Sequence, residues 1–173
     1  MNLTSLLKLA YSAERAAAFA YQGHAGSVRS TTQKVEIKKI EDEELLHRDN
    51  LMRMMNTLEL QPSKWLEFKY YSIGKLISGS CYVIGYFMPM YFAGRLESSN
   101  VNEYIKMVEL VKGTDLESEI PCILEMASVE KEHEQYFLNQ IQDHWMLPLF
   151  QRVFGWGPGL SYNTIYLTNK TVD

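Results

Sequence analysis

Two Glu-x-x-His spacings mark the residues of this sequence that could bind a metal ion. They are Glu44 with His47 and Glu130 with His133, and they use two of the four histidines in the chain. Three residues of an α-helix rise about 4.5 Å and nearly complete one turn, so the carboxylate and the imidazole of each pair would share one face. Each pair could therefore contribute to one metal ion or to two adjacent ions.

Glu14 and Glu97 occupy positions on the buried face of a helix at which an apolar residue is expected. Apolar residues at alternating steps of three and four, which mark the inner face of a bundle helix, lead into both glutamates and continue beyond them. The same alternation runs through both Glu-x-x-His pairs. The same pattern of residues therefore occurs twice along the chain: a single Glu, followed by a Glu-x-x-His pair.

The charge of this set indicates what it would bind. Four carboxylates inside one helical bundle are very costly without compensating positive charge, and two divalent cations would balance them while the imidazoles stay neutral. Oxygen ligands with one imidazole for each metal favour iron or manganese, and the absence of thiolates argues against structural zinc. For any single glutamate, a half-exposed position or an ion pair remains the alternative.

A tyrosine follows each single glutamate by seven residues, Tyr21 after Glu14 and Tyr104 after Glu97. Each tyrosine is either an ordinary core aromatic residue or a hydrogen-bond donor to a metal ligand. His24 and His144 lie on the same helix faces but further along the axis. They are expected at helix ends or at the rim, and not as ligands.

The alternation predicts four bundle helices that carry these residues. The first three are expected over residues 2–29, 34–59 and 64–95, and the fourth follows an N-cap at Asp115. The outer, solvated face of the second helix is expected to carry Lys38, Lys39, Glu43, Arg48 and Asp49.

The third helix is unusually apolar. The stretch Tyr70–Gly94 contains a single charge, Lys75, but small and polar residues interrupt it. We therefore expect a buried or membrane-facing bundle helix and not a transmembrane span. Its inner face is expected to include Val83 and Tyr86 and to continue past Pro89, where the helix should kink.

The composition is that of a globular chain that can form one domain. Of its 173 residues 46% are hydrophobic and 22% are charged, and the net charge is −4. No cluster of Lys and Arg is present, so binding of nucleic acid is not expected. The chain is interpreted as a single domain, 1–173, with a helical core over about 2–145. Residues 146–173 form an irregular apolar tail that would pack across one end of the bundle or meet a membrane or partner.

The two cysteines, Cys81 and Cys122, form no metal-binding or redox spacing. A buried free thiol is expected for each, which is consistent with a reducing compartment. The N-terminus lacks the pattern of a signal peptide. A cytoplasmic location, with peripheral contact to a membrane as an option, is the resulting expectation.

The six donor residues resemble the ligand set of the ferritin-like di-iron carboxylate proteins, and in particular the demethoxyubiquinone hydroxylases. The stretch Phe92–Ser99 is similar to that family's segment around its third glutamate, and Tyr104 matches a family position. Glu103 stands where the family usually has a histidine. The resemblance covers roughly residues 8–140 and implies an all-α, ferritin-like antiparallel four-helix bundle. The metal ligands it implies are Glu14, Glu44, His47, Glu97, Glu130 and His133.

The resemblance implies an enzyme with two iron ions, manganese being the alternative, that activates dioxygen. The expected reaction is hydroxylation of a hydrophobic, quinone-like small molecule with electrons from an external donor. Leu51, Met90, Ala93 and Phe137 are candidate walls of its cavity, or plain core residues. A ferroxidase or peroxidase of the ferritin or rubrerythrin kind is the second hypothesis, and a non-enzymatic, metal-stabilised helical bundle is the third. A homodimer is left open.

Overall fold

The computed structural model describes residues 2–159, and within this range the chain is all-α, as predicted, with no strand. A short 3-10 helix, Glu117–Glu119, precedes the fifth α-helix. The six α-helices are α1 (Leu3–Ser27), α2 (Thr31–Thr57), α3 (Lys64–Ser80), α4 (Phe87–Val111), α5 (Ile120–Ile141) and α6 (Leu147–Phe154).

The first three helices begin at a side chain that accepts a hydrogen bond from the first turn. Asn2 accepts from the Ser5 amide at 2.9 Å, and Ser30 and Ser63 play the same part for α2 and α3. Each cap satisfies an amide that has no partner inside the helix, which typically contributes about 1 kcal/mol. The bounds of α1 and α2 lie within three residues of the predicted ones.

The prediction of one helix over 64–95 is wrong, because a break at residues 81–86 separates α3 from α4. Gly85 has φ +78° in this break, a conformation that ends helices readily. Pro89 lies in the first turn of α4, where its missing N–H needs no acceptor, so no kink results. Val83 and Tyr86, predicted on the inner face, are exposed by 81% and 42%.

The fourth predicted helix also begins later than expected. Asp115 lies in a turn, and α5 starts at Ile120 with Pro121 in its first turn. The tail is not wholly irregular either, since α6 occupies part of it and ends at Gly155 with φ +69°. Residues 160–173, the rest of the predicted tail, lie outside the described range.

Trp156 fixes the segment after α6 to α4 and α5. The hydroxyl of Tyr91 donates to the carbonyl oxygens of Phe150 and Trp156, at 3.0 and 2.9 Å. The indole Nε1 of Trp156 donates to Glu134 at 2.8 Å, and its ring lies against Gly94. These contacts hold the described part of the tail against the helices.

Two apolar clusters form the core and leave a polar layer between them. One cluster draws on the beginning of α1 and α5 and the end of α2 and α4, and includes Leu7, Met54 and Met107. The other draws on the opposite ends of these helices and includes Ile37 and Phe137. The Glu-x-x-His pairs and the two single glutamates fall between the clusters along every one of the four helices.

The carboxylate of Glu67 on α3 binds side chains of α1 and α2 next to this layer. Its carboxylate accepts two hydrogen bonds from Arg48, at 2.7 and 3.2 Å, one from Arg15 at 3.0 Å and one from Ser12 at 2.8 Å. Arg48 also donates to the carbonyl of Tyr11. The expectation that Arg48 is solvated is therefore wrong, because Glu67 of α3 covers its side chain, whereas Lys38, Lys39 and Asp49 of the predicted face are exposed.

Replacing Glu67 by Gln is expected to lower the free energy of unfolding by about 1–3 kcal/mol at pH 7. Burial alone would raise the pKa of Glu67, but hydrogen bonds from Arg48 and Ser12 outweigh it and lower the pKa below 4.5. A carboxylate with a lowered pKa stabilises the fold above its unfolded pKa, and this contribution is lost as the pH falls through the folded pKa.

Urea unfolding between pH 7 and pH 3 would measure the effect, and the difference between wild type and variant should shrink toward the acid end. Glu109→Gln is the matched control, since Glu109 pairs with Lys112 at an exposed position and should change stability by less than about 0.5 kcal/mol. A constant difference at every pH would contradict the role of the Glu67 charge.

Both cysteines are free thiols, as predicted, but only Cys81 is buried; Cys122, also predicted to be buried, is partly exposed. Within residues 2–159, no helix combines the length and the apolar composition needed to cross a membrane.

Candidate metal centre

All six predicted ligands meet in the polar layer between the two core clusters. Glu14 comes from α1, Glu44 and His47 from α2, Glu97 from α4, and Glu130 and His133 from α5, and none is more than 4% exposed. Three-residue spacing places each Glu-x-x-His pair on one helix face, and the neighbouring helices turn all four faces toward one another.

The donor atoms form two overlapping groups. Glu14, Glu44, His47 and Glu130 make up one, and Glu44, Glu97, Glu130 and His133 make up the other; within each group the ligand atoms lie within 4.8 Å of one another. Glu44 and Glu130 belong to both groups. The arrangement thus has two pockets of donors that share two carboxylates.

The imidazoles connect these groups to the surrounding side chains. His47 Nδ1 lies 3.0 Å from Glu130 Oε1. His133 Nε2 lies 2.8 Å from Glu43 Oε2, while its Nδ1 lies 3.5 Å from Glu44 and 3.9 Å from Glu130. With Nε2 engaged by Glu43, Nδ1 is the nitrogen of His133 that faces the carboxylates.

The prediction that places Glu43 on the solvated face of α2 is correct only in part, since its side chain is 26% exposed and one carboxylate oxygen pairs with the exposed Lys39 at 3.3 Å. The other oxygen reaches back to His133 on α5, where an acidic partner fixes the tautomer and orientation of the imidazole. Glu43 directly precedes Glu44, and this adjacency is the only sequence signal that could have identified it. Sequence reasoning also misses Asn100, although it lies three residues after Glu97 on the same face.

Asn100 and Tyr104 hold the carboxylates by hydrogen bonds. The Asn100 amide donates to Glu97 at 2.9 Å and to Glu130 at 3.3 Å. The Tyr104 hydroxyl donates to Glu14, so one of the two tyrosines contacts a predicted ligand. Tyr21 makes no such contact: it stacks on Phe137, and its hydroxyl has no partner among residues 2–159.

The carboxylates strongly perturb one another. Burial raises the pKa of Glu14, and it raises the pKa values of Glu44 and Glu97 well above their usual range, with the Glu130 charge adding to the effect. Burial would also raise the pKa of Glu130, but hydrogen bonds from Glu97 and His47 lower it. Without cations, protons therefore take up much of the negative charge of the cluster.

Several buried atoms of the cluster have no hydrogen-bond partner among the described residues. They are both carboxylate oxygens of Glu44, Oε1 of Glu97 and Nδ1 of His133. Unpaired buried acceptors are rare and need an explanation. All four atoms are electron-pair donors that can coordinate a metal ion. Their residues all belong to the group that contains His133, and Glu44 belongs to the other group as well, so the residues present fit a pair of cations.

The two remaining histidines do not reach this centre. His24 lies in the last turn of α1, at a helix end as predicted, but it is buried there and stacks on Phe137. Burial lowers its pKa to about 4. His144 lies between α5 and α6, where it stacks on Phe87 and accepts a hydrogen bond from the Met146 amide.

An apolar cavity of about 340 Å³ lies between α1, α3 and α4. A smaller pocket of about 130 Å³ reaches Glu14 and Asn100. Ala20, Ile77 and Leu96 line both, so the two are adjacent. Of the predicted wall residues only Ala93 lines the cavity, because Leu51, Met90 and Phe137 are buried in the core clusters.

Replacing Tyr104 by Phe is expected to weaken metal binding roughly 10- to 100-fold, because the substitution removes the hydrogen bond that orients Glu14. Burial, together with the charge of Glu14, raises the pKa of Tyr104 well above its usual range, so the hydroxyl stays protonated and donates. Competition for Fe(II) with a chelator of known affinity would measure the loss.

Tyr21→Phe is the matched control, since it removes a hydroxyl without a described partner from the equivalent place in the repeat. It should leave metal affinity unchanged. Equal losses in the two variants would show that the Tyr104 hydrogen bond does not act on the centre.

No known family or protein is similar enough to this chain to add to the evidence of the site geometry. Neither protein-family models nor curated proteins nor solved structures give a match to the chain.

Proposed function

We propose that this chain is a di-iron protein that uses dioxygen to oxidise a hydrophobic small molecule. The observation that carries the proposal is the pair of buried donor groups that share Glu44 and Glu130. Two carboxylates common to two sets of donors suit two cations held side by side. Glu14 and His47 complete one site, and Glu97 and His133 complete the other.

The helix arrangement supports a ferritin-like antiparallel four-helix bundle made of α1, α2, α4 and α5. Arg48 in the second half of α2 contacts Tyr11 in the first half of α1, so these helices run in opposite directions. The beginning of α2 contacts the end of α5 through Gln33 and Gln140, and further along α2 His47 contacts Glu130, which lies earlier on α5. These two helices therefore also run in opposite directions. In this proposal α3 and α6 are additions to the bundle.

A reduced iron pair, when bound, supplies the electrons and the open coordination positions that activate dioxygen. The side chains around it have separate tasks. Glu43 orients His133 through Nε2 and leaves Nδ1 as the ligand atom. Asn100 holds Glu97 and Glu130 in place, and Tyr104 keeps a proton beside Glu14. Manganese satisfies the same donors and is the alternative metal.

The apolar cavity favours oxidation of a hydrophobic substrate over storage or simple oxidation of iron. It is lined almost wholly by apolar groups, and the smaller pocket next to it reaches Glu14. Such an apolar lining suits an apolar molecule, whereas a ferroxidase needs an entry route for hydrated cations. Glu103 stands where the demethoxyubiquinone hydroxylases usually have a histidine. For this reason we do not extend the proposal to a quinone, and we propose only that the substrate is hydrophobic.

A peripheral membrane contact is part of the proposal, because exposed apolar side chains surround α3 and the break after it. They are Trp65, Phe68, Leu76, Tyr82, Val83 and Ile84. Of these residues Ile84 also lines the apolar cavity, so this surface adjoins the cavity and suits delivery of a substrate from a lipid surface. Flotation with liposomes of neutral and anionic lipids tests this part, and a protein that stays wholly with the soluble fraction would refute it.

Anaerobic titration with Fe(II) tests the central claim. We expect about two iron ions per chain, and after exposure to air the near-ultraviolet absorption of an oxo-bridged iron pair. Binding of well under two ions would refute the di-iron centre. Rapid consumption of dioxygen by Fe(II) alone, with no oxidation of an apolar compound in the presence of a reductant, would favour the ferroxidase instead.

A further inference from the structure

A second cleft, of about 540 Å³, lies beside α4 at the segment that follows α6. Its volume is in the range of small-molecule sites. None of the six donor residues lines it. The residues that carry the inference are Arg95, Ser98 and Ser99 of α4, with Phe92, Phe154 and Trp156 as aromatic walls.

Arg95 gives this cleft an uncompensated positive charge. It is the only charged residue in the lining, and it makes no ion pair within residues 2–159. Its Nε donates to the carbonyl oxygen of Phe154 at 3.1 Å. This bond restrains the guanidinium at the cleft, and the two terminal nitrogens remain to bind an anion.

Ser98 adds an independent observation. Its side chain is 3% exposed, it lines the cleft, and its Oγ has no hydrogen-bond partner among the described residues. A buried hydroxyl without a partner is uncommon in a folded protein. The hydroxyl of Ser99 lies one residue further along the same cleft. A ligand oxygen would provide the acceptor that the Ser98 hydroxyl lacks.

The remaining lining is apolar, with Ile77 and Leu96 beside the aromatic residues. Ile77, Phe92 and Leu96 also line the apolar cavity, so they separate the two spaces. A free inorganic anion would leave this apolar part of the cleft empty. The lining suits a molecule with an anionic group at one end and an apolar body at the other.

We propose that the cleft formed by Arg95, Ser98, Ser99, Phe154 and Trp156 binds an organic anion, a carboxylate or phosphate ester with an aromatic or aliphatic body. The guanidinium pairs with the anionic oxygens and the serine hydroxyls donate to them. The apolar body packs on the aromatic walls. This site does not depend on the metal centre, so it can be tested with metal-free protein.

The test uses the full chain with Trp65 and Trp145 replaced by Phe, which leaves Trp156 as the only tryptophan. Both replaced residues are exposed, whereas Trp156 is buried at the cleft. Its fluorescence is followed during titration with phenyl phosphate, with benzoate, with inorganic phosphate and with neutral benzyl alcohol. We expect saturable binding of phenyl phosphate or benzoate, and weaker or no binding of inorganic phosphate and benzyl alcohol. The tighter of the two organic anions identifies the preferred head group.

Arg95→Gln should weaken binding of the organic anion at least about tenfold, the usual scale for loss of one charge-assisted pair. Lys106→Gln removes a positive charge of α4 from a residue that does not line the cleft, and it should change the affinity far less than Arg95→Gln does. Arg95→Lys keeps the charge and should bind with intermediate affinity, which separates loss of charge from loss of the bond to Phe154.

Equal binding by wild type and Arg95→Gln would overturn the proposal, as would benzyl alcohol binding as tightly as the anions. Absence of a saturable response to both organic anions would overturn it too. None of these results bears on iron binding, and failure of the di-iron titration leaves the cleft untouched.

Discussion

Glu44→Gln is expected to abolish metal binding and, at the same time, to leave the metal-free protein at least as stable as the wild type. Glu44 belongs to both donor groups, so its loss removes a ligand from each cation. In the metal-free protein, burial and the Glu130 and Glu14 charges raise the pKa of Glu44 well above its usual range. A neutral amide of the same shape removes the free-energy cost of keeping this carboxylate buried, whether it is charged or protonated.

Iron analysis and thermal unfolding together measure the two effects. The wild type should bind about two iron ions per chain and gain several degrees in melting temperature upon loading, because a ligand that binds only the native state stabilises it. Glu44→Gln should bind fewer than about one ion and gain nothing.

Glu41→Gln provides the control on the same helix. Glu41 is buried but pairs with Lys38 at 3.3 Å and belongs to neither donor group. It should load iron as the wild type does. If Glu44→Gln bound iron with wild-type stoichiometry, the shared-carboxylate arrangement would be wrong.

Gly74→Ala is expected to destabilise the protein by about 1–3 kcal/mol, the usual cost of overpacking. A Cβ atom at Gly74 would lie 2.8 Å from both the Cα and the carbonyl oxygen of Ala16 and 3.1 Å from Cβ of Phe19. Two of these atoms are backbone, so α1 and α3 must separate. Gly23 shows the same close approach from the other helix, where backbone atoms of Ser78 already occupy the place that a Cβ would take.

Gly79→Ala on the same helix should instead increase the stability of the protein. Apart from the adjoining residues of its own helix, no heavy atom of residues 2–159 lies within 4 Å of the Cβ position at Gly79. Alanine restricts the unfolded chain more than glycine does, so a gain of about 0.4–1 kcal/mol is expected. Urea unfolding of both variants gives the comparison, and a Gly74→Ala protein as stable as Gly79→Ala would show that α3 does not pack this closely on α1.

The position of the six donor residues could be predicted because it follows from local geometry. A spacing of three residues fixes two side chains to one helix face wherever that helix lies. The alternation of apolar residues then fixes which face is buried. This rule identifies Glu14 and Glu97, and the structure places them beside both Glu-x-x-His pairs.

Features that depend on distant partners could not be predicted in this way. Glu43 and Arg48 look solvated on α2, and only the packing of α5 and α3 gives them His133 and Glu67 as partners. The break after Ser80 escapes prediction because the apolar sequence continues through it. There the exposed side chains of Val83 and Ile84 carry no local sign of their exposure.

The order of helix packing has a consequence for the folding kinetics. Two of the three largest helix interfaces, α1 with α2 and α4 with α5, join neighbours in sequence, and the third joins α1 with α3 across α2. Short loops close quickly, and such contacts can form early. The donor cluster needs α1 and α2 to meet α4 and α5, and is therefore completed late. Substitutions of its glutamates should mainly change the unfolding rate and leave the folding rate nearly constant.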